Sequence, residues 1–227
     1  MKGIIFMGWK VKYIGNLKPG GLVLTRRVEA GLKEINQCPD AWYLVAAFDD
    51  NTLFRFGSNK YDKDIMVKPR YRVGETVYVK EVHYLYGYWL DMGISLLTGN
   101  HEWVFIEYEK MGVYFPDNLP SDIKPMKGHS HKEGWYKRSP LFLPAWAARY
   151  HVVVEDARPE KLQDITNEDA ILEGIEPPEH AFVMIGSCVD AAISPKEEFA
   201  EVWNEINSKR GYGWDKNPWV IRYALRK

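Results

Sequence analysis

The chain has 227 residues, of which 46% are hydrophobic, 14% aromatic and 27% charged, a composition that excludes an intrinsically disordered chain and suits one large domain. Thirty basic and thirty-one acidic residues give a net charge of −1, which excludes a uniformly cationic coat for duplex DNA. Cys38 and Cys188 are 150 positions apart, so neither a disulfide framework nor a zinc ribbon is expected. The chain has no signal-peptide core and no run of about eighteen apolar residues; we therefore expect a cytoplasmic protein with no membrane partner.

Strand patterns recur along the chain. Residues 42–48 and 52–56 are two apolar, aromatic runs that flank a polar turn at 49–51, a pattern typical of a β-hairpin. Residues 76–82 follow a Gly-containing turn, and the alternation of their side chains predicts another strand. The remaining predicted strands are 103–108, 150–154 and 219–225.

Two short helices carry start signals in the second half of the chain. Thr166 is followed three residues later by Asp169, and Gly174 can close this first helix in a left-handed conformation. Ser194 precedes a proline and has Glu197 at the third helical position, which predicts a capping box. Apolar residues at helical spacing then predict one buried stripe. The stripe consists of Phe199, Val202, Trp203 and Ile206.

The fold class follows from the balance of these elements. Many strands with few short helices favour an α+β fold built around a small, mostly antiparallel β-barrel or curled sheet. Residues 84–138 are rich in Gly, Pro, His and aromatic residues and show no clear period. We therefore predict that they form an irregular insertion rather than a second domain.

The first candidate binding segment is residues 20–27. Two adjacent glycines precede Thr25, Arg26 and Arg27. The glycines allow a close backbone approach, and a hydroxyl beside two guanidinium groups suits an anionic or base-like ligand. A plain turn before a strand, with solvated arginines, would give the same residues and is the alternative interpretation.

The second candidate is the tail of the chain, where basic residues are interleaved with aromatic residues and glycines. Aromatic rings stack on bases at about 1–3 kcal/mol each, and cations meet the phosphates. Lys209, Arg210 and Trp214 are the predicted nucleic-acid contacts. Trp203 and Trp219 are expected to lie in the core instead.

A third candidate is Glu173, in the last turn of the helix that follows Thr166. A carboxylate there faces the negative end of the helix dipole, at a cost of up to about 1 kcal/mol. Small violations of local rules tend to mark functional sites, although exposed glutamates are also common in last turns.

Metal and cofactor chemistry have little support in the sequence. His129 and His131 are spaced as a ligand pair could be, but no third ligand stands at a recognisable spacing, so a solvated loop is expected and no metal is predicted. Motifs of phosphate-binding loops, dinucleotide-binding folds, serine hydrolases and zinc proteases are also missing from the chain, and no cofactor is predicted.

In order, four blocks of the sequence resemble the ASCH family of PUA-like domains, and most closely its members of uncharacterised function from phages and prophages. Leu24-Thr25-Arg26-Arg27 stands where the family typically reads G-R-K-T-x-T-R-R. The blocks are the first residues with 24–27, then 71–81, then 139–149 with 160–175, and the tail from 199 to 220. Residues 29–68 and 84–135 lie outside the resemblance.

The resemblance implies a single ASCH-type domain over residues 1–227, with a small β-barrel whose cleft binds RNA or modified bases. Some small bacterial members are amidohydrolases that deacylate N4-acetylcytidine with a lysine, a threonine three residues later and a glutamate. Carried over by position, the threonine falls on Thr25 and the glutamate on Glu173, but the lysine falls on Leu22. A threonine hydroxyl needs an adjacent base, which leucine cannot supply, although Lys18 lies four positions earlier. This departure favours binding over cleavage.

We therefore expect a nucleic-acid or nucleobase-binding module whose partner is RNA or a modified nucleoside. Two alternatives stay open, an amidohydrolase acting on acylated nucleosides and a protein-interaction module that uses the aromatic segment 84–90. The predicted cleft requires that the Thr-Arg-Arg segment and the acidic helix end share one hollow. Its residues are Thr25, Arg26, Arg27, Lys80, Glu81, Arg149, Glu173, Lys209, Arg210 and Trp214.

Overall fold

A computed structural model describes residues 1–5, 8–48, 51–176 and 193–227 of the chain. Cys188 lies outside these ranges, and Cys38 is a free thiol. The strands are β1 (Lys2–Ile5), β2 (Leu22–Arg27), β3 (Trp42–Phe48), β4 (Leu53–Ser58), β5 (Ile65–Val67), β6 (Thr76–Lys80), β7 (His83–Ile94), β8 (His101–Glu107), β9 (Val113–Tyr114), β10 (Gly134–Arg138), β11 (His151–Lys161) and β12 (Trp219–Arg226). The α-helices are α1 (Gly8–Asn16), α2 (Asn167–Leu172) and α3 (Pro195–Asn207).

The described ranges hold twelve strands and only three α-helices, which confirms the predicted α+β class. The strands of the described ranges form open sheets, and no closed barrel is found among them. Several short 3-10 helices connect the strands. They are Ala30–Leu32, Ile35–Gln37, Pro39–Ala41, Glu109–Met111, Pro140–Phe142, Ala145–Ala147, Leu162–Asp164, Ser208–Arg210 and Trp214–Lys216.

The chain divides into two compact units, each made of two chain segments. Unit 1 is Met1–Val11 with Tyr78–His151, and unit 2 is Lys12–Val77 with Val152–Lys227. The predicted insertion, 84–138, therefore belongs entirely to unit 1.

The prediction that residues 84–138 are irregular was wrong. The twelve-residue strand β7 pairs antiparallel with β8, β9 and β10 in one sheet. The sequence hides this strand because aromatic residues occupy both of its faces and a glycine interrupts it. Gly87 is required there, since a Cβ would lie 2.1 Å from the carbonyl oxygen of Ile106.

Unit 2 is built on the antiparallel strand order β11-β12-β2, and a second sheet has the order β3-β4-β5. The predicted hairpin is confirmed, because β3 pairs antiparallel with β4. The predicted strands at 76–82, 150–154 and 219–225 are confirmed as β6, β11 and β12. Trp219 packs edge-on against Phe56 at 5.0 Å but is half-buried, so it lies at the margin of the core rather than within it.

The helix signals are confirmed, with one correction to the buried stripe. The Thr166 hydroxyl accepts from the backbone N–H of Asp169, and Ser194 and Glu197 form the predicted capping box. The buried residues of α3 are spaced four apart, at Phe199, Trp203 and Asn207. Ile206 is 37% exposed instead, because a spacing of four residues turns the stripe away from it. No helix in the described ranges has both the length and the apolar character needed to cross a membrane.

Candidate functional site

The Thr-Arg-Arg segment does meet the acidic helix end, and Arg26 makes the connection. The Arg26 side chain is 0% exposed and lies on β2 opposite β12. Its Nε donates to Glu160 at 2.5 Å, Nη2 to Asp169 at 2.5 Å and Nη1 to Glu173 at 3.2 Å. Every nitrogen of the guanidinium therefore donates to a carboxylate, so Arg26 holds α2 and the residue after it against the sheet.

Arg222 extends this ion cluster, because it stands directly opposite Arg26 in the β12–β2 register. Its guanidinium lies 3.5 Å from Asp156, 3.7 Å from Asp169 and 4.0 Å from Glu160. Burial raises the pKa of Glu160 despite these cations. Burial alone would lower the pKa of Arg26, but the charges of the surrounding carboxylates outweigh it and the pKa is raised. The cluster is a closed structural network rather than an open ligand site.

Thr25 and Arg27 lie on the other face of β2, because neighbouring residues of a strand point to opposite sides of the sheet. Thr25 is buried and stands opposite Tyr223 in the register. Glu173 is only 2% exposed and accepts a hydrogen bond from Arg26, whose side chain leaves the opposite face of β2 from Thr25. The structure brings Arg26 and Glu173 together, whereas a hollow shared by Thr25 and Glu173 stays a prediction, and so does the amidohydrolase alternative.

The Thr25 face carries a second buried carboxylate, Glu29. The Tyr223 hydroxyl donates to Glu29 at 2.5 Å, and the backbone N–H of Arg70 donates at 2.9 Å. Burial raises the pKa of Glu29, against the lowering effect of these hydrogen bonds and of Arg27. Tyr223 also packs edge-on against Tyr71 at 5.3 Å, which fixes the ring whose hydroxyl binds this carboxylate.

Tyr223→Phe tests the Glu29 site through pH. The pKa of Glu29 is higher in the folded protein than in the unfolded chain, where it is about 4.5. The contribution of Glu29 to the free energy of unfolding is therefore complete below about pH 4.5 and is lost as the pH rises through the folded pKa. Because the Tyr223 hydroxyl favours the ionised form, its removal should cost about 1.5–3 kcal/mol at alkaline pH and less in acid. Urea unfolding across pH measures the difference, with Tyr43→Phe at an exposed ring as the control. A cost that does not change with pH would contradict this account.

The basic and aromatic loop in the tail, Lys209–Trp214, is held rigidly on α3. The Trp203 Nε1 donates to the carbonyl of Tyr212 at 2.7 Å, and the Asn204 side chain accepts from the backbone N–H of Trp214 at 2.7 Å. Lys209 and Arg210 are exposed, and Trp214 is half-buried. The loop therefore presents two cations and one half-buried indole on a backbone that is anchored to α3.

The other predicted cleft residues, Lys80, Glu81 and Arg149, belong to unit 1, and each has a partner there. Arg149 donates to Glu81 at 2.9 and 2.6 Å and to Asp117 at 2.7 Å, and its guanidinium lies 4.0 Å from the centre of the Phe115 ring. The Lys80 Nζ donates to the carbonyl of Leu141 at 2.7 Å. Hydrogen bonding to Glu81 raises the pKa of Arg149. Arg149 thus closes a local ion cluster much as Arg26 does in unit 2.

The histidine pair is packed against tryptophan. His129 lies 4.2 Å from Trp89 and is stacked at 5.4 Å on Trp103, which also neighbours His131. Within the described ranges, no group of three His, Cys, Asp or Glu side chains could hold a metal ion. The sequence interpretation of a solvated loop missed these ring contacts, which pair distant positions and leave no local signal.

Comparison of the chain with models of protein families, with curated proteins and with solved structures finds no match. The resemblance to ASCH-type domains therefore stays a prediction.

Proposed function

We propose that this protein binds RNA or a nucleobase-like ligand and that the Lys209–Trp214 loop is the contact surface in unit 2. The observation that carries the proposal is the exposure of two cations beside a half-buried indole on an anchored backbone. Cations on phosphates and rings on bases are the two interactions that nucleic-acid binding requires.

The state of the other predicted contacts supports this choice of surface. The guanidinium groups of Arg26 and Arg149 donate hydrogen bonds to carboxylates, and Glu173 is buried. By contrast, Lys209 extends into solvent, and Arg210 keeps donors available beyond its 3.0 Å bond to Asn207. Phosphate contacts therefore cost this loop little rearrangement.

The finer expectations from the sequence belong to the same proposal. An ASCH-type domain with a PUA-like barrel, in a cytoplasmic phage or prophage context, would bind RNA or a modified base. The loop lies in the tail block of that resemblance, so the two lines of reasoning favour the same partner class.

Lys209→Ala combined with Arg210→Ala tests the proposal. Fluorescence anisotropy at low salt should show binding of a labelled single-stranded RNA pool by the wild type. The logarithm of the binding constant falls linearly with the logarithm of the salt concentration, with a slope of about 0.7 per phosphate contact on single strands. Loss of two phosphate contacts should therefore reduce the magnitude of this slope by about 1.4. The charge-matched control is Lys33→Ala with Lys60→Ala, two exposed lysines elsewhere in unit 2. Equal slopes for the two double variants, or no RNA binding by the wild type, would refute the proposal.

A further inference from the structure

One face of the β7 sheet in unit 1 is lined with aromatic rings. Along β7, the odd-numbered residues from His83 to Gly87 are buried, whereas Tyr84, Tyr86 and Tyr88 are half-exposed. Residues of the neighbouring strands and of the turn after β8 continue the half-exposed face. We call this surface the aromatic platform. It consists of Tyr84, Tyr86, Tyr88, Tyr108, Tyr114 and Trp135.

The rings of the aromatic platform form a continuous chain of contacts. The ring centres of Tyr88 and Tyr108 are 6.2 Å apart, and those of Tyr108 and Tyr86 are 6.0 Å apart. Trp135 follows at 5.6 Å from Tyr86, and Tyr114 at 4.7 Å from Trp135. Rings that contact one another along a strand have few alternative rotamers, so the surface is preorganised for a planar ligand.

Folding of unit 1 does not by itself account for this surface. The opposite face of the sheet already supplies a buried side, with Leu85 and Tyr136 each 2% exposed. The second face of such a sheet normally carries polar residues. Six rings on the half-exposed face therefore indicate a binding surface.

Charge favours a nucleic acid as the occupant. Unit 1 has ten Lys and Arg residues against eight Asp and Glu, a net charge of +2, whereas unit 2 has twenty against twenty-three. Lys137 is exposed and stands directly opposite Tyr84, on the same face as the rings. Because a duplex hides the faces of its bases, only an unpaired strand can stack on rings in a flat sheet.

We propose that the aromatic platform stacks the bases of single-stranded nucleic acid. The inference rests on the proposed function and adds a second contact surface to it, one that works by stacking rather than by phosphate contacts. Neighbouring tyrosines on one face of a strand are about 6.6 Å apart, so successive bases can each meet a separate ring. Lys137 would meet a phosphate at the edge of the platform.

The test compares variants for binding of a short labelled oligouridine and of the matched duplex. Tyr86→Ala and Tyr88→Ala should each weaken oligouridine binding about 5- to 150-fold, the range expected for one stacked base. Tyr86→Phe should restore binding to within about twofold, because a phenyl ring stacks like a phenol. The matched control is Val104→Ala, an exposed aliphatic residue of β8 opposite Leu90 of β7, which should leave binding unchanged. Circular dichroism and thermal unfolding confirm that each variant is folded.

The outcomes separate this inference from the function on which it rests. If the wild type binds no nucleic acid, both fall together. If the loop variants reduce the salt-dependence slope but Tyr86→Ala binds oligouridine like the wild type, only the platform inference is overturned. The aromatic platform would then be a surface for a protein partner. Equal losses in Tyr86→Phe and Tyr86→Ala would also overturn it, because the hydroxyl rather than the ring would then make the contact.

Discussion

Replacing Arg26 with alanine is expected to lower the free energy of unfolding by about 3–5 kcal/mol. The change leaves Glu160, Asp169 and Glu173 without the guanidinium that binds all three. Buried carboxylates without a counterion either stay charged at a high desolvation cost or take up protons. Urea denaturation measures the loss as a shift of the midpoint.

Two controls make the Arg26 prediction specific. Arg158→Ala removes a cation that also lies near Glu160, at 3.6 Å, but whose side chain is 53% exposed; its cost should be at most about 1 kcal/mol. Arg26→Lys keeps the charge but not the planar guanidinium, so its loss of stability should lie between those of Arg26→Ala and Arg158→Ala. The cost of Arg26→Ala should also shrink in acid, because the freed carboxylates then bind protons. A loss no larger than that of Arg158→Ala would show that the cluster does not stabilise unit 2.

Trp203→Ala is expected to cost about 3–5 kcal/mol, the second large effect. The Trp203 ring is 5% exposed and lies 6.1 Å from Phe199. Its Nε1 also satisfies the carbonyl of Tyr212, so the variant loses packing and the anchor of the binding loop together. Thermal or urea unfolding gives the stability, and anisotropy with RNA should show weakened binding in the same variant.

Trp214→Ala provides the contrast to Trp203→Ala. The Trp214 ring is half-buried, with its centre 6.3 Å from that of Phe199, so its removal should cost only about 1–2 kcal/mol. Binding of RNA should nevertheless fall, since the exposed part of the indole ring is the proposed stacking contact. Equal stability losses in the two variants would contradict the assignment of Trp203 to the core and Trp214 to the surface.

Elements specified by local chemistry were predictable from the sequence. The caps at Thr166 and Ser194 each depend on a side chain and a backbone group three residues away, so the whole interaction lies within a few letters. The β3–β4 hairpin is similar, because its strands and its turn are contiguous. In these places the sequence contains both partners of the deciding interaction.

The faces of the strands were not predictable in the same way. The prediction that the Thr-Arg-Arg segment meets Glu173 is met by Arg26, whereas Thr25 stands opposite Tyr223 in the β12–β2 register. The side of a sheet that receives a distant helix is set by packing rather than by local pattern. The rings on β7 were counted in the sequence, but their division into a buried and a half-exposed face was not.

By itself, the sequence determined the α+β class, the positions of six of the twelve strands in the described ranges and the capped helices, since each rests on periodicity or on contacts between near neighbours. Only the tertiary structure decided which charges are available. It enclosed Arg26 and Arg149 among carboxylates, left Lys209 in solvent and exposed one ring-lined side of β7. The physical reason is that burial and ion pairing join residues that are 32 to 147 positions apart in these clusters. An interaction between such distant residues produces no pattern in the local sequence.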